Sequence, residues 1–442
     1  MAKPGRIQIV KYAPPPPELP AFGQADPSQV SFIGRTNYVA ALEEKKFVFG
    51  IKRVDRRRHL YLIGKSGVGK SKAIELLARQ DIAYGQGLCL IDPHGDLIES
   101  LLDFIPEERI DDVVIIDPTD MRHAACFNPF RGNPPEFRHE LAQGLLDVMQ
   151  RQFGSSWTPK IEHLLRFTFL ALLDYPDATF YGAMSMLTDG AYRTAVLSHV
   201  NDDMVRRFWS AEFPAWAERF DADTIIPLVN KLGQFFSNPV LRGIFSQKEN
   251  KVDIPDVIRT RRIVLVNLSR GGLGETNAAF LGGIVMAKMK QAGMMRAALR
   301  QEERHDFYVY IDEFHALASE TLGGILADAR KYGFCLTIAH QYLGQLPAKL
   351  QMAILGNVGS LVVFRVGGDD AAHLKSEMAP VFDVKDMINL GVQEFYAKMV
   401  IDGENYDPFS AETLKVLPAP HPSFRDRIIE ASGRKYGPSG GD

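Results

Sequence analysis

The sequence predicts an α/β fold with a mostly parallel sheet, and three observations support this class. Short continuous apolar runs recur along the chain, as in strands that are buried on both faces of a parallel sheet. Helical patterns separate these runs, as in βαβ units. A long stretch without strand patterns interrupts the alternation, which indicates an inserted all-helical domain.

Seven apolar runs are the candidates for buried strands. Ligands of open parallel sheets gather at the carboxyl ends of the strands, so the side chains that follow these runs are candidates for a site. The runs are Leu60 to Ile63, Leu88 to Ile91, Val113 to Ile116, Ile263 to Leu268, Phe307 to Ile311, Phe334 to Ala339 and Ser360 to Val366.

These patterns divide the chain into five segments. Residues 31–130 and 259–415 are predicted to be the two parts of the α/β domain, and residues 131–258 the helical insertion. Residues 1–30 contain a run of four prolines and are predicted to be an extended arm, either solvated or docked onto a neighbour. Residues 416–442 contain Pro, Gly and Ser and are predicted to be a flexible tail.

The composition is that of an ordinary globular protein. The 442 residues are 46% hydrophobic, enough for a large core in two or three domains. The net charge of −3 provides no general attraction to nucleic acid, so any DNA contact must come from a local basic patch. Three widely separated cysteines and the lack of a long apolar run favour a cytoplasmic protein with no membrane span of its own.

A glycine-rich segment joins the first apolar run to a helical pattern. It matches the phosphate-binding loop G-x-x-x-x-G-K-[ST] and consists of Gly64, Lys65, Ser66, Gly67, Val68, Gly69, Lys70 and Ser71. Small residues let consecutive backbone N–H groups turn inward around phosphates, at the positive end of a helix. Lys70 is expected to reach the β- and γ-phosphates, and Ser71 to bind Mg²⁺. The segment therefore predicts a site for ATP and Mg²⁺.

Two adjacent carboxylates end the apolar run that begins at Phe307. Asp312 is expected to hold Mg²⁺ through its water shell, and Glu313 to orient and deprotonate the attacking water. Alone, such a pair is often only the polar end of a buried strand. Downstream of a phosphate-binding loop, it favours ATP hydrolysis.

Two polar residues near the next strand are further candidates. Gln341 follows the run that ends at Ala339 and is expected to sense the γ-phosphate. Arg330 precedes that run and could act as an arginine finger on a neighbour's nucleotide, or simply be a surface cation at a helix end. Arg365 is a weaker candidate of the same kind.

Other segments are ambiguous from sequence alone. Asp92 and His94 follow a strand candidate and are expected to lie near the site. The glycine-rich loop from Ser269 to Glu275 could contact phosphate or be a plain turn. Trp209 and Trp216, in the helical insertion, could stack on bases, but core packing is the favoured interpretation.

In these motifs the chain resembles the HerA and FtsK superfamily of ring ATPases, and most closely the coupling ATPases of type IV secretion and conjugation of the TraG/TraD type. The similarity covers about Ile33 to Phe409. Besides the phosphate-binding loop it involves Asp55 to His59, Ile91 to Asp96, Ile311 to His315, Ala329 to Gly333 and Ala339 to Gln341.

The resemblance implies a RecA-like P-loop ATPase domain carrying an all-helical domain, and a homo-hexamer that passes DNA through its channel. It implies that Lys70 and Ser71 act on phosphate and Mg²⁺, that Asp312 and Glu313 act on metal and water, that Gln341 is a sensor, and that Arg330 acts in trans. Candidate grips on single- or double-stranded DNA, without sequence readout, are Arg261, Arg262, Arg270 and Lys331.

Many coupling proteins begin with membrane helices, whereas this chain has a proline-rich arm. The expectation is therefore a cytoplasmic motor, peripheral at the inner face of the membrane or away from it, that a relaxase or a secretion channel recruits. Two alternatives stay open. One is a secretion ATPase that exports proteins or pilus subunits, and the other is a slow nucleotide-dependent assembly switch, against which Glu313 argues.

Overall fold

The computed structural model describes residues 10–39, 46–120, 123, 125–218, 222–269, 273–318 and 320–438. Its strands are β1 (Val30–Thr36), β2 (Val48–Lys52), β3 (Leu60–Ile63), β4 (Gly87–Asp92), β5 (Val113–Ile116), β6 (Ile263–Asn267), β7 (Phe307–Ile311), β8 (Phe334–His340), β9 (Ser360–Val363), β10 (Glu394–Lys398), β11 (Val400–Ile401), β12 (Glu404–Asn405) and β13 (Phe409–Thr413).

Most α-helices of the described residues lie between these strands in the chain, and the last one follows β13. They are α1 (Arg53–Arg56), α2 (Lys70–Ala83), α3 (Asp96–Leu102), α4 (Arg138–Phe153), α5 (Pro159–Asp174), α6 (Gly182–Thr188), α7 (Gly190–Leu197), α8 (Asp203–Arg207), α9 (Phe213–Glu218), α10 (Ala222–Ser237), α11 (Pro239–Phe245), α12 (Ile254–Arg259), α13 (Glu275–Met295), α14 (Glu320–Asp328), α15 (Ala348–Asn357), α16 (Gly368–Met378), α17 (Val384–Asn389) and α18 (Arg425–Tyr436).

One large sheet organises the fold, with strand order β2-β1-β13-β10-β9-β3-β8-β7-β4-β6-β5. The seven strands from β9 to β5 are parallel, whereas β2, β1, β13 and β10 pair antiparallel at the other side. All seven parallel strands match the apolar runs of the sequence. The predicted α/β class with a mostly parallel sheet is therefore confirmed.

The register of the parallel strands brings three strand ends together. Ile63 at the end of β3 pairs with His340 at the end of β8, and Ile311 of β7 pairs with Ile338 of the same β8. Because parallel strands end at one edge of a sheet, the residues that follow β3, β7 and β8 are neighbours in space.

Helices α4 to α12 fill the chain between β5 and β6. Their core is aromatic and continues onto α13: the ring of Phe180 is buried 5.7 Å from the ring of Phe169 of α5 and 5.3 Å from that of Phe280 of α13. Trp209 is 1% exposed and donates from its indole nitrogen to the carbonyl oxygen of Phe167 over 3.2 Å. It is thus a core residue, as favoured above, whereas the Trp216 side chain lies outside the described residues. The boundaries 131 and 258 of the insertion stay a prediction.

Both ends of the described chain pack onto the sheet. The backbone of Ala13 exchanges hydrogen bonds with Ser410 of β13, and Leu19 is buried. Residues 1–9 lie outside the described residues. At the other end, α18 packs against β5, and the Ser432 hydroxyl accepts a hydrogen bond from the backbone N–H of Ile115. The expectation of a flexible tail over 416–442 is wrong for this helix, because Ile428 and Tyr436 are buried on its apolar face.

A buried charge cluster fixes helix α2 against β7. The Asp81 carboxylate, at the C-terminal part of α2, is fully buried and pairs with Arg53 and Arg56. Tyr310 of β7 donates its hydroxyl to Asp81 and accepts a hydrogen bond from Arg56 over 2.7 Å. Such a cluster is costly to break, since a lost partner leaves a buried charge uncompensated. It holds the helix of the phosphate-binding loop in place relative to the strand that carries Asp312.

Candidate nucleotide-binding site

The phosphate-binding loop lies between β3 and α2, at the carboxyl edge of the sheet. Its first residues are anchored by neighbouring strands, since Gly64 N donates to His340 O over 3.4 Å and Lys65 N donates to Arg365 O over 2.9 Å. Arg365, which the sequence offered as a weak candidate, thus supports the loop through its backbone. The side chain of Arg365 is half-buried and takes no part in this contact.

The glycines of the loop are required by space and by backbone conformation. A Cβ at Gly64 would lie 2.6 Å from Cβ of Phe364, closer than such atoms approach in proteins. Gly67 and Gly69 have φ of +75° and +121°, which side chains with a Cβ rarely adopt. These three positions explain the spacing of glycines in the motif.

Lys70 is folded back onto its own loop. Its Nζ donates to the carbonyl oxygens of Gly64 at 2.7 Å and Lys65 at 3.0 Å, and the residue is 5% exposed. Burial lowers the pKa of Lys70, and the charges of Glu313 and Asp312 act in the opposite direction. The ammonium group is therefore held at the loop, beside both carboxylates.

Ser71 and Asp312 face each other across the site. The Ser71 hydroxyl donates to Oδ2 of Asp312 over 2.7 Å, although 241 residues separate them in the chain. Asp312 is 4% exposed, and burial raises its pKa while the Ser71 hydrogen bond opposes the rise. A hydroxyl and a carboxylate oxygen are suitable ligands for Mg²⁺, which commonly keeps several waters and few protein ligands. Among the described residues there is no group of three or more His, Cys, Asp or Glu side chains that could hold a metal ion.

Glu313 has a special backbone and a buried carboxylate. Its φ of +46° is left-handed, an uncommon state for a residue with a Cβ that often occurs at functional sites. Oε1 accepts a hydrogen bond from Nε2 of Gln341 over 3.0 Å. Oε2 is 3.2 Å from Nδ1 of His315, but the two atoms are not aligned for a hydrogen bond.

These contacts determine the protonation of Glu313. Burial by itself raises the pKa of this carboxyl, but the approach of His315, the Gln341 hydrogen bond and the charge of Lys70 outweigh burial and lower the pKa to about 2. Glu313 is therefore ionised at neutral pH. Its Oε2 is a buried acceptor with no hydrogen-bond donor among the described residues.

A second layer of side chains lies behind Gln341. His340 Nε2 is 2.5 Å from the hydroxyl of Tyr61 on the adjacent strand, and burial lowers the pKa of His340 to about 4. Gln345 Oε1 accepts from the backbone N–H of Gln341 over 3.2 Å. His315, Tyr61 and Gln345 were missed by the sequence analysis. Of these three residues, only His315 could have been proposed from the sequence, because it stands two residues after Glu313 in the segment Ile311 to His315.

Arg330 lies at the opposite edge of the sheet. It belongs to a 3₁₀ turn that ends just before β8, whereas Gln341 follows β8, so roughly 20 Å of strand separates them at 3.3 Å per residue. Arg330 is exposed and lines a cavity of about 540 Å³ together with Arg57 and Arg304. The structure therefore does not bring Arg330 to the site of its own chain.

Of the remaining candidates, Asp92 lies next to the site, since its charge raises the pKa of Asp312 and the backbone of Asp312 donates to the carbonyl oxygen of Ile91. Asp92 accepts hydrogen bonds from the backbone N–H groups of His94 and Leu97 and so caps the turn into α3, while the His94 side chain is exposed. Arg261 contacts His305, and Arg262 donates to the carbonyl oxygen of Asp111, both before β6 at the amino edge.

Lys331 pairs with Asp328 near the same edge, just before β8. The loop from Ser269 to Glu275 includes Arg270, and residues 270–272 lie outside the described residues. Both interpretations of this loop, a contact with phosphate or substrate and a plain turn, therefore stay open.

The described residues include no helix that is both long and apolar enough to cross a membrane. No curated protein sequence matches the chain significantly. A family profile described as the type IV secretion-system coupling protein DNA-binding domain matches residues 49–392.

Solved structures with a similar fold include the bacterial conjugative coupling protein TrwBΔN70 in its unbound form. It shares 16% sequence identity with the chain at a TM-score of 0.63, and the alignment covers 85% of this chain and 90% of that one. The plasmid coupling protein TrwB in complex with ADP and Mg²⁺ gives the same identity and TM-score, with 85% and 89% coverage. VirB4 of Thermoanaerobacter pseudethanolicus follows at 14% identity and a TM-score of 0.51, with 81% and 89% coverage.

The family profile extends from within β2 to beyond the last parallel strand, and so includes the phosphate-binding loop, Asp312, Glu313 and Gln341. The resemblance that the motifs indicate is confirmed. The chain belongs to the family of type IV secretion-system coupling proteins, defined by their DNA-binding domain, and its fold is that of a RecA-like P-loop ATPase.

Proposed function

We propose that this protein hydrolyses Mg²⁺-ATP in a ring of identical subunits and uses the cycle to move DNA. The observation that carries the proposal is the cluster formed by Lys70, Ser71, Asp312, Glu313 and Gln341. Residues from three strand ends, distant in sequence, meet within hydrogen-bond distance at one edge of the sheet. Similar proteins support the ligand assignment, since TrwB has been solved with ADP and Mg²⁺.

The phosphate-binding loop supplies the grip on ATP. Backbone N–H groups of residues 64–71 would surround the phosphates, and Lys70 would exchange the carbonyl oxygens of Gly64 and Lys65 for phosphate oxygens. This exchange keeps the ammonium group hydrogen-bonded in both states. Ser71 and Asp312 would hold Mg²⁺, which, when bound, neutralises charge on the phosphates.

Glu313 would orient the attacking water through its ionised carboxylate, which lies beside His315. A carboxylate with a pKa of about 2 is a weak base, so we expect orientation to contribute more than proton abstraction. Gln341 lies in the turn after β8, and its side chain donates a hydrogen bond to Oε1 of Glu313. A residue in this position is suited to sense the γ-phosphate. When Gln341 turns toward a phosphate, it would release one oxygen of Glu313.

Arg330 would serve the site of a neighbouring subunit. Because it lies at the amino edge and the nucleotide site at the carboxyl edge, a head-to-tail contact between subunits could place one against the other. Such contacts form a ring when the rotation between subunits closes, as in the homo-hexamer that the resemblance implies. The role of Arg330 would be to stabilise transition-state charge.

The Arg330→Ala variant is expected to bind ATP normally but to lose about 10³-fold in turnover, the usual effect of an arginine finger. The measurement is steady-state hydrolysis together with fluorescent-nucleotide binding. Arg259→Ala, which removes an exposed arginine at the same edge, is the matched control.

Mixing Arg330→Ala with Glu313→Gln subunits would separate action in trans from action in cis. At equal amounts roughly a quarter of random ring contacts pair an intact Arg330 with an intact Glu313 site, so activity should reappear. A mixture that stays inactive while rings form would assign the finger to another residue.

DNA is the proposed cargo, because the family is defined by a DNA-binding domain. The grip would be on the phosphate backbone of single- or double-stranded DNA, with Arg261, Arg262, Arg270 and Lys331 as the candidate cations. We place the motor in the cytoplasm, peripheral to the inner face of the membrane, with a relaxase or secretion channel as partner.

The decisive experiment is steady-state ATP hydrolysis with single-stranded DNA, duplex DNA and no DNA, alongside the mass in solution with and without nucleotide. We expect DNA to raise turnover and nucleotide with DNA to favour a hexamer. Turnover that ignores DNA but responds to an export substrate would favour the secretion ATPase. Turnover far below one per minute under every condition would favour the assembly switch.

A further inference from the structure

The helical insertion touches the turn that follows Glu313. Arg151, near the C-terminal end of α4, donates from Nη2 to the carbonyl oxygen of His315 over 3.1 Å. The ring of the same His315 lies 3.2 Å from the Glu313 carboxylate. His315 thus connects the two groups. Its carbonyl oxygen contacts the guanidinium of Arg151, and its ring contacts the carboxylate of Glu313.

The turn is anchored by Phe314 and Leu317, which are buried in the core with Leu317 against Gly282 of α13, and it also makes hydrogen bonds within its own backbone. Ala316 N donates to Glu313 O over 2.8 Å, and Ala318 N donates to His315 O over 3.3 Å. These bonds shape the turn but do not fix it relative to α4. The Arg151 hydrogen bond does, because it joins the turn to a different part of the fold.

Arg151 is an exposed residue on the side of α4 that faces α14 and α15. Neighbouring protein atoms lower the pKa of its guanidinium, and the charge of Glu275 opposes that change. A charged donor forms a stronger hydrogen bond than a neutral one. Arg151 also lines a cavity of about 550 Å³ between α4, α14 and α15.

We propose that Arg151 is a positioning residue, through which the helical insertion controls the placement of His315 and hence of Glu313. The inference rests on the proposed function, because it takes Glu313 as the residue that orients water. A ligand that moves the insertion, DNA first among them, would then change the turnover of bound ATP rather than its affinity.

The test uses the full chain with the variants Arg151→Ala and Arg151→Lys. We expect Arg151→Ala to lower kcat about 10-fold, in proportion to the loss of one charged hydrogen bond, with KM for ATP within about twofold. Lysine can donate to the same carbonyl oxygen, so Arg151→Lys should recover part of the rate. Arg166→Ala is the matched control, because it removes an arginine of the same insertion that pairs with Glu162 on its own helix.

A double-mutant cycle with His315→Ala tests the route of the effect. If Arg151 acts through the His315 ring, adding Arg151→Ala to His315→Ala should lower kcat by less than about twofold. The inference would be overturned if the kcat losses of the two single variants multiplied in the double variant. It would also be overturned if Arg151→Ala kept the kcat of the unmodified protein with and without DNA. A lower thermal midpoint in Arg151→Ala that lysine does not restore would also overturn it, because the residue would then be structural.

Failure of this inference and failure of the proposed function give different results. If Glu313→Gln still hydrolyses ATP, the proposed role of Glu313 is wrong. If Glu313→Gln is inactive while Arg151→Ala turns over normally, only the control by the helical insertion is wrong.

Discussion

The Lys70→Ala variant is expected to lose both ATP binding and hydrolysis. The lysine ammonium is buried at the loop and already donates two hydrogen bonds there, so its removal takes away two charged donors to the phosphates. At 1.5–3 kcal/mol each, their loss corresponds to a weakening of ATP binding by roughly 10² to 10⁴-fold. Fluorescent-nucleotide titration and steady-state hydrolysis measure the two effects.

Lys72→Ala is the matched control for this prediction. Lys72 stands on the same helix two residues later, but its side chain is 66% exposed and pairs with Glu75. We expect it to bind ATP like the unmodified protein. Normal ATP affinity in Lys70→Ala would show that the phosphates are held elsewhere, and the site proposed here would have to be abandoned.

The Glu313→Gln variant is expected to bind ATP and to lose nearly all turnover. Glutamine keeps the size and the hydrogen-bond capacity of the side chain but removes its negative charge, so it cannot hold or deprotonate the attacking water in the same way. A loss of about 10² to 10⁴-fold in kcat is typical for a positioned acid–base group. The measurement is single-turnover hydrolysis, with nucleotide affinity determined in parallel.

An unaffected fold and a matched control variant make the prediction for Glu313 specific. Because Gln341 donates to Oε1 of Glu313, the variant can retain this contact through its amide oxygen, and the fold should be unaffected. Glu303→Gln, an exposed carboxylate paired with Arg300, should turn over normally. Hydrolysis by Glu313→Gln within tenfold of the unmodified rate would move the water-orienting role to another group.

Much of the parallel sheet could be predicted because its signals are local. A buried parallel strand such as Leu60 to Ile63 is apolar on both faces and is therefore visible as a continuous run. The antiparallel strands β1, β2, β10 and β13 were not predicted individually. Gly34 interrupts the apolar pattern of β1 and Ser410 that of β13, and the pairing of these two strands joins residues 379 positions apart, Gly34 and Thr413. The buried side of α18 was hidden for the same reason, since its partner β5 is distant in the chain.

The site residues also differ in how far local sequence signals predict them. Lys70 and Ser71 belong to a motif whose chemistry depends on adjacent residues, so the local sequence is enough to propose their roles. Asp312, Glu313 and Gln341 could be proposed because each follows an apolar strand. Their roles stay predictions that the variants above will test.

The sequence by itself determined the class of the fold, the phosphate-binding loop and the family resemblance, because these depend on local spacing of residue types. Only the tertiary structure decided that Ser71 meets Asp312, that Gln341 meets Glu313 and that Arg330 lies at the far edge. The same holds for the contact of Arg151 with the turn after Glu313. The physical reason is that strand order and register, which set these distances, result from packing between segments far apart in the chain.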